Sequence, residues 1–246
     1  MNISRLGVLR YGLALILMLA CGVAAAESAR TLTATVPADA LQAVELDVNV
    51  GEVRIEPSTD NAVHVTVKVK ANEHGFWFIH WRDGDSEEVV HGAAIRHTID
   101  GGRLALSLIV PNRDDDDDWD ISTTWHVQMP ARLALETSVD VGELRIDGLT
   151  GGVAADVNVG ELNISVPRGS IRATVDVGEI EASTGATGYR TLVMGVDFGD
   201  VSVEGLDVPA GDDDIGSSLS LHGSGEYDYE LQADIGDVEL TFGRRD

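Results

Sequence analysis

The chain has 246 residues, 42 of them acidic against 17 basic, a formal net charge of −25 and an isoelectric point near 4.4. Such a field argues against nucleic acid as a partner and disfavours an anionic polysaccharide or an anionic membrane face. The single cysteine, Cys21, excludes an internal disulfide, and Lys68 and Lys70 are the only lysines. A salt-rich habitat would select the same lysine-poor, acidic surface.

Residues 1–26 read as a secretion signal: Arg5 and Arg10, the apolar run LALILMLA, then small residues ending in Ala24, Ala25 and Ala26. The run is too short to span a bilayer. Cleavage after Ala26 fits the small-residue rule. Cys21, after Met18, Leu19 and Ala20, offers the alternative of a lipoprotein anchor, which Leu19 fits poorly. The chain from Glu27 carries 15 basic and 42 acidic residues, a net charge of −27. Residues 27–246 then suit one repeat domain without a low-complexity linker, and helical periodicity is absent.

From Thr31 to Pro57 the pattern gives two or three strands, the last carrying VNVGEVRI from Val48. VHVTVKV from Val63 alternates cleanly and predicts another strand. The composition then changes, marking an insertion at about 72–128. All four tryptophans (Trp77, Trp81, Trp119, Trp125) and five of the seven histidines lie between His74 and His126. The segment includes FWFIHW from Phe76, the strand-like VVHGAAIRHTI and RLALSLIV, and the run Asp114 to Asp118. It offers either an aromatic face for sugar or protein, or a cap over a terminal strand edge, and the cap is preferred. His80, His91, His97 and His126 lack a zinc-ligand spacing, and the aspartate run lacks the ligand pattern of an EF-hand loop.

The octet seen at Val48 recurs as VDVGELRI from Val139, VNVGELNI from Val157, VDVGEIEA from Val175, VDFGDVSV from Val196 and ADIGDVEL from Ala233. Its glycines, Gly51, Gly142, Gly160, Gly178, Gly199 and Gly236, are spaced by 91, 18, 18, 21 and 37 residues. The unit is thus about 18 residues, and the gaps of 37 and 91 are close to two and five units, so diverged copies or insertions are expected to fill them. Apolar residues alternate at Val139 and Val141, then resume at Leu144 and Ile146. This predicts two strands meeting at a glycine corner, with both apolar faces turned to one interior. One unit buries too few side chains to stand alone, so units must stack at a strand spacing and share a core. The expected fold is all-β, a single-stranded right-handed β-helix (β-solenoid) carrying the aromatic- and Asp-rich insertion. A second acidic cluster, Asp212 to Asp214, and the degenerate SLSLHGSGEYDYELQ precede the last octet, after which the final rung needs a cover.

The acid beside each corner follows from the same register. Asn49, Asp140, Asn158, Asp176, Asp197 and Asp234 precede the glycines by two, and Glu52, Glu143, Glu161, Glu179, Asp200 and Asp237 follow directly. Both sets are expected to face outward and the second to stack as a column of carboxylates. Relief would come from salt, from turn amides, from raised carboxyl pKa values, or from calcium held by Asp140, Glu143, Asp176, Glu179, Asp197 and Asp200.

The proline strand at Met129-Pro130, LALETSVDVGELRI, the successive Gly-acid-apolar-x-apolar turns and the closing LQADIGDVELTFG resemble the bacterial toast-rack proteins, named "putative adhesins", over most of Thr31 to Gly243. The resemblance implies a β-repeat fold exported to the cell envelope and transfers no catalytic residue. The long first gap and the excess of acid depart from the pattern. The resulting expectation is a non-enzymatic, exported binding or structural module, periplasmic or on the cell surface, whose partner is an envelope protein or glycan. A β-helix enzyme acting on polysaccharide and a calcium-stabilised surface protein are the alternatives. No cofactor is expected, and no catalytic residue is assigned. Arg145, Arg168 and Arg172 are the few basic neighbours of the repeated acids.

Overall fold

The computed structural model describes residues 29–71, 90–110, 121–206 and 216–243. The leader with Cys21, the aromatic residues Phe76, Trp77, Trp81 and Trp119, His80, the run Asp114 to Asp118 and the cluster Asp212 to Asp214 lie outside them. Fourteen strands follow in order: β1 (Ala29–Pro37), β2 (Ala43–Pro57), β3 (Ala62–Ala71), β4 (Ala94–Asp100), β5 (Arg103–Ile109), β6 (Ile121–Met129), β7 (Ala134–Asp147), β8 (Val153–Val166), β9 (Ile171–Thr184), β10 (Thr191–Phe198), β11 (Val201–Glu204), β12 (Ser218–His222), β13 (Asp228–Ile235) and β14 (Val238–Phe242). The strands expected at Val63 and in the two strand-like runs of the insertion are β3, β4 and β5.

The octets lie in β2, β7, β8 and β9, and across the pairs β10–β11 and β13–β14. These pair in parallel with every octet in register: Gly51 against Gly142, Gly142 against Gly160, and Gly160 against Gly178. The all-β class therefore holds. The sheet as a whole is mixed and open, because the octets make only its centre. Antiparallel strands finish it on both sides: β3 pairs β6 and β1, β4 pairs β5, and β12 pairs β10.

The spacing leaves two ways to fill the long gaps, diverged copies or insertions. Between Gly51 and Gly142 no rung is added: β2 lies directly on β7. The intervening chain makes β3 to β6 and returns, so that β5 covers the first half of β2 (Ala43–Leu46) and β6 the second (Gly51–Pro57). The gap of 37 before Gly236, close to two units with a degenerate rung expected at SLSLHGSGEYDYELQ, does not lengthen the stack beyond the fifth octet. The last octet instead enters the stack one step earlier. β13 pairs β9 on one side and β10 on the other, and β14 likewise joins β9 to β11. The order in space is β2, β7, β8, β9, β13–β14, β10–β11.

Stacking in register turns each octet position into a ladder. Val48, Val139, Val157, Val175, Ala233 and Val196 form one buried row, and Val53, Leu144, Leu162, Ile180 and Val238 a second across the corner. Burying a Val, Leu or Ile side chain is worth roughly 1.5–3 kcal/mol, so the rows supply the stability that no single unit has. The rows thin at one end. Val201 and Val203 of β11 are only half-buried, whereas the opposite end is sealed by Trp125 on β6, 1% exposed.

The corner itself differs from the sequence reading in one respect. The glycines do lie at positive φ, from 139° at Gly236 to 153° at Gly51. A Cβ added at Gly142, Gly160 or Gly178 would fall far inside contact distance of the preceding glycine's carbonyl oxygen, so any side chain is excluded twice over. The residue before the glycine, however, was expected inside and is found outside. The ladder pairs Val139 with Val157 and Val141 with Val159, passing over the residue between them. The break recurs in the same place on every rung, with equal residue numbers on the paired strands, and it shifts the alternation by one. Four consecutive residues, Asp140 to Glu143, then lie between buried Val139 and buried Leu144.

Candidate functional site

The outer face of the corner is the most regular surface of the molecule. Its three parallel rows are set by the octet. Asn49, Asp140, Asn158, Asp176, Asp234 and Asp197 form the first, and all are exposed. Glu52, Glu143, Glu161, Glu179, Asp237 and Asp200 form the third, also exposed, so both acidic sets face outward as the alternation predicts. Between them runs the row that the sequence reading placed inside: Val50, Val141, Val159, Val177, Ile235 and Phe198, joined rung to rung by the parallel pairing. Val50 and Val141 are half-buried. Val177 is 44%, Val159 47%, Ile235 50% and Phe198 61% exposed. Four of the six large exposed hydrophobic residues among the described residues therefore stand in this one line.

The two acidic rows are relieved differently. In the first, the Asn158 amide donates to Asp140 Oδ1 at 3.2 Å, one rung away, rather than to its own turn. In the third, the backbone N–H of Asp200 donates to Asp237 Oδ1 at 3.0 Å. Partial burial, followed by the carboxylates of Glu181, Asp237, Glu161 and Glu239, pushes the Glu179 carboxyl above its ordinary value. Of these neighbours Asp237 and Glu161 belong to the same column, on the adjacent rungs. Asp140, Glu143, Asp176, Glu179, Asp197 and Asp200 all lie at the corner, on the three rungs β7, β9 and β10–β11, with β8 and β13–β14 between them. Among the described residues no three acidic, histidine or cysteine side chains converge to hold a metal ion.

A neighbouring outward column shows what compensation looks like. Asp47, Ser138, Asp156 and Thr174 succeed one another in register. Ser138 Oγ donates to Asp47 Oδ1 at 3.0 Å, and Thr174 Oγ1 donates to Asp156. Acid and hydroxyl alternate, and each carboxylate has a donor on the next rung.

A shallow cavity of about 360 Å³ crosses the starts of β7, β8 and β9, lined by Arg103, Glu136, Gly152, Arg172, Asp228 and Glu230 among others. Its charges are paired: Arg103 with Glu45 at 3.3 Å and with Glu136, Arg172 with Glu230 at 2.8 Å, and Arg190 with Asp228. Arg145, the second basic neighbour foreseen for the acids, is held by Asp147 at 3.0 Å.

Of the aromatic and histidine cluster, Trp125 is buried on β6 beside the end rung β2, and His97 lies on β4 opposite Leu106 of β5. Trp125 Nε1–H donates to Thr123 Oγ1 at 3.0 Å, and the Thr123 hydroxyl donates to the Val50 carbonyl at 2.8 Å. Thr123 stands opposite Gly51 and ends the glycine column. His126 and Gln128 each bond Glu56 Oε1 at 2.9 Å, and Arg54 reaches its other oxygen at 3.1 Å. Gln128, then His126 and Arg54, hold the Glu56 carboxyl below its usual value. His91 contributes a backbone carbonyl to Arg30.

No family model matches the chain, and no curated protein matches its sequence. Solved structures do. A "putative cell adhesion protein" from Clostridium sporogenes superposes with a TM-score of 0.57 at 13% identity, over 87% of this chain and 99% of that one. A "putative adhesin" from Bacteroides fragilis aligns over 86% and 97% at 10% identity, with a TM-score of 0.29. A "putative lipid binding protein" from Parabacteroides distasonis aligns over 88% and 97% at 12% identity, with a TM-score of 0.27. The likeness to the Clostridium protein establishes a shared fold, so the resemblance to adhesin-type β-repeat proteins holds at the level of architecture. No helix among the described residues is long and apolar enough to cross a membrane.

Proposed function

We propose that the chain is a non-enzymatic, exported envelope protein that works by binding, through the outer face of its stacked corners. The supporting observation is the repetition itself: three rows run unbroken over six octets, giving an extended surface of one chemistry rather than a single centre. Extended repeat surfaces suit recognition, and the fold shared with an adhesion-type protein agrees with this. On this reading residues 1–26 are a cleaved signal, Cys21 is the alternative lipid anchor, and the insertion at about 72–128 belongs to the cap of the stack. The parallel rungs wind as a single-stranded right-handed β-helix, a view supported by the 18-residue period and the in-register glycines. The partner is an envelope protein or glycan. Screening the mature chain against neutral and acidic glycans and envelope proteins should give saturable binding without products. Turnover of a polysaccharide would replace this reading with the enzymatic one.

Calcium bridging adjacent rungs through the Glu and Asp rows is the second reading, supported by the in-register succession of Glu52, Glu143, Glu161 and Glu179. Thermal melts at matched ionic strength, with calcium or with chelator, test it. A higher midpoint in calcium is expected, and equal midpoints remove the site and leave screening alone.

A further inference from the structure

The apolar row at the corner has no part in the core, and nothing in the strand pattern demands it. The position before the glycine faces outward, yet it is Val, Val, Val, Val, Phe or Ile in all six octets, while the residue before it is Asp or Asn and the residue after the glycine is Glu or Asp. Isolated exposed apolar residues need no explanation, but a continuous line of them does. Rungs about 4.8 Å apart make a row about 24 Å long from Val50 to Phe198.

The occupant follows from charge and pitch. A second copy of this chain, at a net charge of −25, would bring like charges together along both acidic rows, and an anionic membrane would do the same. An extended strand laid along the row presents same-face residues about 6.8 Å apart, out of step with the rungs. An α-helix presents a side chain on one face at each turn, about 5.4 Å, close to the rung spacing, and about 16 residues of it cover the row. Its apolar stripe would lie on Val141, Val159, Val177 and Ile235. Basic residues on both borders of the stripe would reach the carboxylates of the Asp row and the Glu row.

We propose that this row, with the two carboxylate rows beside it, docks a cationic amphipathic α-helix of about 16 residues. The inference rests on the reading of the protein as a binding module and names the chemistry of its partner.

The test uses the mature chain and a synthetic 18-residue Leu/Lys peptide with an apolar stripe bordered by lysines. Its controls are a scrambled isomer without the stripe and an isomer with glutamates for lysines. The stripe peptide should bind saturably and become helical on binding, with affinity falling as salt is raised. The scrambled isomer should bind at least tenfold more weakly, and the glutamate isomer not at all. The triple variant V159T/V177T/I235T keeps β-branched side chains and should melt as the wild type does while losing at least tenfold in affinity. Should that variant fail to fold, E161Q/E179Q provides the check, with lower affinity and a shallower salt dependence expected. Equal binding of the scrambled isomer would reduce the effect to unspecific charge and overturn the proposal, as would absence of helix binding or undiminished binding by a folded triple variant. If the peptide does not bind while a glycan or envelope protein does, the docking inference falls and the binding module stands.

Discussion

The two ends of the octet stack are built from the same unit and finished in opposite ways. At the β2 end both halves of the rung are covered, the first by β5 and the second by β6. The glycine column is closed by Thr123, whose hydroxyl takes the Val50 carbonyl, and Trp125 seals the interior. At the β10–β11 end, β12 covers the first half, and among the described residues β11 pairs with β14 alone. The buried rows thin accordingly from Leu144 and Ile146, fully buried, to Val201 and Val203, half-buried. Repetition supplies the ladder. It cannot supply an end, because a terminal rung by definition lacks one neighbour, and each end needs residues that are not repeats.

The sharpest way to break this comparison is at the glycines. Gly160→Val and Gly178→Val place a side chain against the carbonyl of a rung held on both sides, and each should cost at least about 3 kcal/mol. Gly199→Val meets the carbonyl of Gly236 in the same way, but its rung has freedom to move outward, so its cost should be smaller. Chemical denaturation of the three variants checks this, and equal losses at Gly178 and Gly199 would mean that both ends are equally constrained. Next in size is the seal. Trp125→Ala removes a fully buried indole and should cost about 3–5 kcal/mol, against well under half of that for Val203→Ala at the open end, measured by the same titration.

The smallest effects are electrostatic and have opposite signs. Glu56, at the sealed end, has its pKa lowered by Gln128, His126 and Arg54. It therefore contributes stability that is full above pH 4.5 and lost as the pH falls through its folded value. Glu179, whose pKa is raised by partial burial and by its acidic neighbours, works the other way. The folded state binds the proton more tightly, so stability falls as the pH rises from 4.5 through the folded value. Glu179→Gln should thus raise the melting midpoint slightly at pH 7 and leave it nearly unchanged at pH 4, whereas Glu56→Gln should lower it at pH 7. Melting curves at the two pH values decide both signs.

Much of this architecture is legible in the residues alone. The 18-residue spacing, the glycine corner and the outward acids follow from the octets, and the alternation of VHVTVKV is visible as β3. What stays hidden has a physical reason. Every octet is complementary to every other, since each brings the same row of Val, Gly, acid and Leu or Ile. Composition therefore cannot tell whether Gly178 faces Gly199 or Gly236. The direct contact of β2 with β7 is hidden for the same reason, and counting residues in the gap misleads because the excursion returns on itself. The outward turn of Val159 and Val177 depends on a break in the ladder at Asn158 and Asp176, repeated on every rung, which period-two alternation cannot show. Alternation alone therefore assigns the apolar row to the core and hides the surface it makes. The one available signal was Phe198, too large for a position otherwise held by Val or Ile in a tightly packed interior.

The place of β13 and β14 between β9 and β10–β11 has a consequence for how the protein comes to be made. A chain emerging N-terminus first can, once β7 has seated on β2 after the long excursion, add β8 and β9 in sequence, each closing a short loop. The fifth octet then has no correct seat until the sixth is complete, since its parallel neighbour is still unsynthesised. An octet fits an octet, so β9 offers the fifth copy a competing register that must be vacated before the last strand can enter. Assembly here is an intercalation that closes at the C-terminus rather than a zipper that runs from one end. The last 16 residues of the described chain, Asp228 to Gly243, are thus the step on which completion of the native stack waits.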